Sequence, residues 1–181
     1  MRKFPYSTRP ATPDDLDQVA EIERRSIVPP WTRAAFEAEL AKTSGRFWVL
    51  TDDETDTKVV AYAVFSFPAD QAHLVTFAVH SDFRRQGLGV YLLRRLIAYV
   101  MRKGGASVYL EVRKSNFAAV QLYQSLGFVV VRTVPRFYPD GEDAYAMIFQ
   151  ANRERLTGEP EVDFENDPDD TPGRGDPKTF N

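Results

Sequence analysis

The strongest constraint on this chain is a change of apolar period near Val79. Before it, Arg46 to Thr51, Lys58 to Phe67 and Ala72 to Val79 are rich in β-branched and aromatic residues. The polar turn Asp52 to Thr57 parts the first two runs, and Pro68-Ala69-Asp70 parts the second from the third. After it, Leu88, Leu92, Leu96 and Tyr99 recur at helical spacing, flanked by Leu93, Ile97 and Val100, until Gly104-Gly105. The first pattern predicts an antiparallel meander of three strands, and the second a long amphipathic helix.

Other elements follow from local signals. Phe4 to Arg9 is predicted to be a strand. Thr12-Pro13-Asp14-Asp15 opens a helix with a hydroxyl cap, a first-turn proline and carboxylates at its positive end. That helix carries Leu16, Val19, Ala20 and Ile22 and fades by Ser26. Pro29-Pro30-Trp31 forces an extended link, and Thr32 caps a second helix bearing Ala35, Phe36, Leu40 and Ala41. Later come a strand at Ser107 to Val112, a helix from Phe117 to Leu126 closed by Gly127, and strands at Phe128 to Val134 and Ala144 to Phe149. The order β-α-α-β-β-β-α-β-α-β-β predicts an α/β (α+β) fold, with a mixed, mostly antiparallel sheet of about seven strands and helices on both faces.

Composition narrows the function. With 43% hydrophobic and 27% charged residues, the 181-residue chain has an ordinary globular balance, and residues 1–152 suit one domain. No apolar run approaches a membrane span, and no signal-peptide core follows Met1-Arg2-Lys3, so the cytoplasm is the expected location. The absence of cysteine excludes disulfides, thiolate nucleophiles and cysteine zinc sites, and two histidines are too few for a histidine-rich metal centre. The expectation is no metal. Residues 153–181 hold nine acidic against four basic residues, with four prolines and three glycines, so they read as an acidic, disordered tail. The remaining body has no basic block or stripe, which argues against nucleic acid as a partner.

Two constellations suggest chemistry. Arg84-Arg85-Gln86-Gly87-Leu88-Gly89 lies between a strand and the long helix, where free backbone N–H groups and the helix dipole favour phosphate. Gly87 and Gly89 allow close approach, although such glycines also serve packing alone; the spacing is neither the Rossmann nor the P-loop pattern. The second is Glu111 on a strand with Asn116, Ala119 and Tyr123 on one face of the next helix. A carboxylate to accept a proton and a phenol to donate one suit acyl transfer to an amine. On spacing alone, a solvated strand carboxylate and a core tyrosine are the favoured readings.

These segments resemble the GNAT superfamily of N-acetyltransferases, and within it the ribosomal-protein-alanine N-acetyltransferase branch. The resemblance is carried by Ala78-Val79, by Arg84, Gly87 and Gly89, and by Leu110-Glu111-Val112-Arg113 with Ser115-Asn116, Ala119 and Leu122-Tyr123. Leu126-Gly127-Phe128 and Tyr138-Pro139, with Gly141 to Ala144, complete it. It implies acetyl-CoA as co-substrate, bound through Phe77, Ala78 and Val79, through Arg84, Arg85, Gln86, Gly87, Leu88, Gly89 and Val90, and through Asn116, Ala119 and Tyr123. It further implies Glu111 as general base, Tyr123 as general acid, and Trp31 and Tyr138 bordering a peptide groove. Ser81 stands where a proline is common, and Phe137 replaces the first of two tyrosines.

The implied reaction is direct attack in a ternary complex, with a backbone N–H near Val79 polarising the thioester carbonyl. An α-amine, with a pKa of about 8, is far more often neutral at pH 7 than lysine at about 10.4, which favours a protein N-terminus as acceptor. A lysine or small-molecule amine, or a silent CoA-binding module, remain alternatives. His73, on the strand before Val79, is read either as a partly exposed strand residue or as an assisting base.

Overall fold

The computed structural model describes residues 5–42, 45–52 and 55–151. The tail expected to be disordered therefore lies outside the described residues. The strands are β1 (Tyr6–Pro10), β2 (Gly45–Asp52), β3 (Val59–Ser66), β4 (Gln71–Val79), β5 (Ser107–Arg113), β6 (Val129–Val134) and β7 (Ala144–Gln150). The helices are α1 (Leu16–Arg24), α2 (Arg33–Leu40), α3 (Leu88–Arg102) and α4 (Phe117–Ser125). Element order follows the sequence expectation throughout.

Local chemistry fixes the helix starts. A short 3₁₀ turn, Pro13–Asp15, opens on a box in which the Thr12 main-chain N–H and Oγ–H both donate to the Asp15 carboxylate, while the Asp15 N–H donates to the Thr12 carbonyl at 3.1 Å. Thr32 Oγ1 accepts the Ala35 N–H at 3.2 Å and starts α2, and Asn116 Oδ1 accepts the Ala119 N–H at 3.2 Å and starts α4. Ahead of α3 stands Gly87 with φ of +81°, a left-handed geometry that only glycine adopts without strain.

Seven strands form one sheet in the order β1-β2-β3-β4-β5-β7-β6. Every neighbouring pair is antiparallel except β4 with β5. The helices divide the interior in two. One face of the sheet packs Trp48, Phe65, Leu74, Leu110 and Met147 against Leu92, Leu96 and Tyr99 of α3 and Tyr123 of α4. The other packs Phe47, Tyr62, Val64 and Ala78 against Leu16, Val19 and Ile22 of α1 and Phe36 of α2. Strand β3, VVAYAVFS, is buried on both faces in seven of its eight residues, which explains its unbroken apolar sequence.

The feature that positions the site is a parting of the sheet. Parallel pairing of β4 with β5 lasts for three residue pairs, ending at His73 with Tyr109. Beyond that point β4 continues to Val79 and β5 to Arg113, each held only by its outer neighbour. A register shift in β4, between its pairings with Val64 and Phe65, adds to the divergence. The result is a wedge opening between the two central strands.

Candidate active site

One wall of the wedge is the free edge of β4. His80 N–H donates to Val60 C=O at 2.8 Å, and Ala78 lies opposite Tyr62. Main-chain groups alternate sides along an antiparallel pair, so those of Phe77 and Val79 turn away from β3 and into the wedge. The Val79 carbonyl accepts Arg84 Nε–H at 3.0 Å. The Val79 N–H and the Phe77 amide groups remain for a ligand that can pair like a strand.

At the head of this wall, Arg85 (φ +62°) and Gly87 (φ +81°) turn the exposed loop 84–87 into the start of α3. Consecutive N–H groups at such a turn form an anion-binding concavity, reinforced by the helix dipole. The two glycines serve different ends. Nothing lies within 4 Å of where a Gly87 Cβ would sit, so its requirement is conformational. A Cβ on Gly89 would meet Phe77 Cζ at 3.3 Å and Val79 and Leu122 at 3.5 Å, so its requirement is the close packing of α3 on β4 and α4. The Arg84 guanidinium ties the Val79 carbonyl to Ser26 Oγ, the latter at 2.8 Å.

Tyr123, from α4, is 7% exposed with its ring 5.6 Å from that of Phe128. Burial, and then the neighbouring Tyr138, push its pKa far above the ordinary phenol value, so it stays protonated at neutral pH. Deprotonation of Tyr62 is in turn opposed by burial, by Glu23 and, more weakly, by Tyr123. Tyr138 is raised by burial and by Glu111 among its neighbours. Four groups predicted from scattered parts of the chain, or not predicted at all, therefore share one neighbourhood: Tyr62, Glu111, Tyr123 and Tyr138.

On the α1/α2 side of the sheet, Glu111 Oε2 lies 2.8 Å from His73 Nε2, across the last residues that β4 and β5 share. The His73 ring stacks on Tyr109 with centroids 4.2 Å apart and planes 3° from parallel. The histidine is thus not an isolated strand residue: it is the hydrogen-bond partner of Glu111. Trp31 packs on Phe36 at 5.4 Å, and its N–H donates to Glu23 Oε1 at 3.1 Å. Tyr138 lies beneath the Arg113 guanidinium, 3.9 Å from ring centroid to Cζ. Asn116 caps α4 beside the wedge, and Ala119 lies half-buried on the same helix.

Sequence reasoning missed the network around Glu23. This carboxylate is fully buried and accepts hydrogen bonds from the Tyr62 hydroxyl, the Thr76 hydroxyl at 3.4 Å and the Trp31 N–H. Three donors satisfy a buried carboxyl group that would otherwise be costly. A signal existed: Glu23 shares the buried stripe of α1 with Leu16, Val19 and Ile22, where an acidic residue is out of place unless it has partners.

Comparison with known proteins bears on the family and the fold. Residues 16–128 match the acetyltransferase (GNAT) family. The [ribosomal protein bS18]-alanine N-acetyltransferase of Escherichia coli (strain K12) is 38% identical over 136 residues, covering 74% of this chain and 89% of that protein. An N-alpha-acetyltransferase of Sulfurisphaera tokodaii is 35% identical over 155 residues, covering 78% of this chain and 91% of its own. The crystal structure of the ribosomal-protein-S18-alanine N-acetyltransferase from Escherichia coli superposes with a TM-score of 0.73, at 35% identity, over 80% of this chain and 93% of that one.

Proposed function

Since the chain belongs to the acetyltransferase (GNAT) family, we propose that it acetylates protein N-termini, taking the acetyl group from acetyl-CoA. The observation that carries this reading is the parted sheet, with a phosphate-accepting helix start at one end and a carboxylate and a protonated phenol beside it. Acetyl-CoA combines a diphosphate with an extended arm containing amides. The loop 85–90 suits the first, and the free edge at Phe77 and Val79 suits the second, since amides can continue a strand ladder.

The acceptor amine approaches from the α1/α2 side, between Trp31 and Tyr138. It attacks the thioester carbon while the Val79 N–H donates to the carbonyl oxygen. Loss of the sulfur breaks the C–S bond; the amine proton passes to Glu111, directly or through one water, and from there to solvent, while the departing thiolate, held by the Tyr123 hydroxyl, takes a proton from solvent water. His73 holds the Glu111 carboxylate in place by donating Nε2–H. Tyr123 has a narrower part than a strong acid. Burial makes it a weaker acid than a free phenol, so its contribution is an always-protonated donor that stabilises the developing thiolate.

An α-amine needs little help to lose its proton, because about a tenth is already neutral at pH 7, whereas lysine has far less. The decisive experiment is a panel of peptides with acetyl-CoA: free N-termini against blocked N-termini bearing lysine. Turnover of free N-termini alone is the expected result. Turnover confined to blocked, lysine-bearing peptides rejects the N-terminal reading, and coenzyme A binding without any turnover rejects catalysis.

A further inference from the structure

We propose that Arg113 is a positioning residue for acceptor recognition, locking the two loops on either side of the groove to one another. It rests on the reading that the acceptor enters between Trp31 and Tyr138. Arg113 lies two residues beyond Glu111, on the same face of β5. Its Nη1 donates to Asp140 Oδ2 at 2.8 Å and to Glu142 Oε2 at 2.7 Å, both in the β6–β7 connection. Its Nη2 donates to the Val28 carbonyl at 2.6 Å, in the α1–α2 connection, 85 residues away in sequence. The same guanidinium covers the Tyr138 ring.

The β6–β7 side of this junction is prepared in advance. Glu142 accepts the Ser115 N–H at 2.9 Å through its other oxygen, and Asp140 Oδ1 accepts the Glu142 N–H at 3.1 Å. Ser115 and Glu142 thereby anchor this loop to the turn before α4. The α1–α2 connection begins with the Ser26 and Ile27 N–H groups donating to the Glu23 carbonyl, and side chains then hold it at three points: Ser26 by Arg84, Val28 by Arg113, Trp31 by Glu23. Of these, only Arg113 reaches the opposite wall as well. Arginine suits the task because its planar fork offers several donors in fixed directions and a face for stacking. A lysine ammonium at the same place would be a single point charge on a flexible stem.

The part-exposed ion pairs contribute little to stability, so the expected consequence of losing them is local. Arg113→Met in the full chain should raise the KM for a free-N-terminal peptide about tenfold. Its kcat should change less than threefold, and acetyl-CoA affinity and melting temperature should hardly move. Arg113→Lys should recover little of the loss. Asp140→Asn with Glu142→Gln, which spares the Val28 contact, should give a smaller rise. In fluorotryptophan-labelled protein, Arg113→Met should shift or broaden the Trp31 resonance and leave that of buried Trp48 unchanged.

An unchanged peptide KM, a full rescue by lysine, or an unaltered Trp31 signal overturns the proposal. A parallel loss of peptide and acetyl-CoA binding also overturns it, since that would mark a general structural role. If the wild-type chain acetylates no N-terminal peptide, the functional reading fails and the acceptor role with it. The Trp31 resonance then still reports, separately, whether the arginine ties the loops.

Discussion

The two sides of the wedge are built in different ways. The side proposed for the cofactor is mostly main chain: the free edge of β4, the left-handed turn at Arg85 and Gly87, and the first turns of α3 and α4. Its parts lie within stretches of a few residues. The side proposed for the acceptor is a mesh of side chains from α1, β3, β4, β5 and two connections, joined by hydrogen bonds spanning up to 85 residues, such as His73 with Glu111 and Arg113 with Val28. Backbone geometry can be specified by a glycine and a cap, whereas a mesh of side chains depends on distant segments meeting.

The largest expected effect tests whether chemistry sits where the two sides meet. Tyr123→Phe should reduce kcat about 10²-fold while acetyl-CoA affinity, measured by calorimetry, stays within about threefold. An unchanged rate would remove the phenol from the reaction. Glu111→Gln should also cost about 10²-fold near neutral pH, with activity recovering as pH rises and the free amine supplies itself. If His73 acts only by orienting Glu111, His73→Ala should do less damage than Glu111→Gln, and adding it to Glu111→Gln should do almost none. A full additional loss in the double variant would instead make the histidine an independent base.

A middle-sized effect separates backbone from side chain. Alanine in a left-handed turn is strained by roughly 1–2 kcal/mol, so Gly87→Ala should weaken acetyl-CoA binding about tenfold with the peptide KM unaffected. Gly104, at φ +88° beyond the far end of α3, provides the control. Gly104→Ala imposes similar strain with equal open space and should leave acetyl-CoA affinity alone. Equal loss in both variants would show that helix stability, not the anion-binding turn, was at stake.

The smallest effect concerns the acceptor side alone. The Ser115 hydrogen bonds, then that from Arg113, hold the Glu142 pKa down at about 2, below its ordinary 4.5. A depressed carboxylate supports the folded arrangement fully above its ordinary value and loses that support as pH falls through its folded value. The β6–β7 connection should therefore keep its ties well below pH 4.5. Carbon-13 NMR of the Glu142 carboxyl should give a midpoint near 2; a midpoint near 4.5 would mean that the ties are absent in solution.

Much of the fold was legible because its signals are local. The capping box at Thr12, the caps at Thr32 and Asn116, and the period change at Val79 each act within a few residues, and the elements formed where they indicated. The packing role of Gly89 was open in the sequence, and only the approach of Phe77, Val79 and Leu122 settled it. The strand sequence VVVRTV of β6 reads much like that of β3, yet its valines at 129, 130 and 131 are 58%, 40% and 56% exposed. β6 is the outermost strand beyond β7, whereas β3 lies inside the sheet. No local property of six residues states how many strands will stand beside them.

The sequence by itself determined the elements, their order, and the family's motif on the cofactor side, because dihedral preference, capping and apolar period operate over one or two turns of chain. Tertiary structure alone decided that β7 inserts between β5 and β6, that β4 and β5 part after His73, and that His73 faces Glu111. It alone also placed Glu23 and Arg113 at junctions between distant segments. These outcomes depend on which surfaces find each other in three dimensions, and a hydrogen bond across 38 or 85 residues leaves no periodic trace in the chain that makes it.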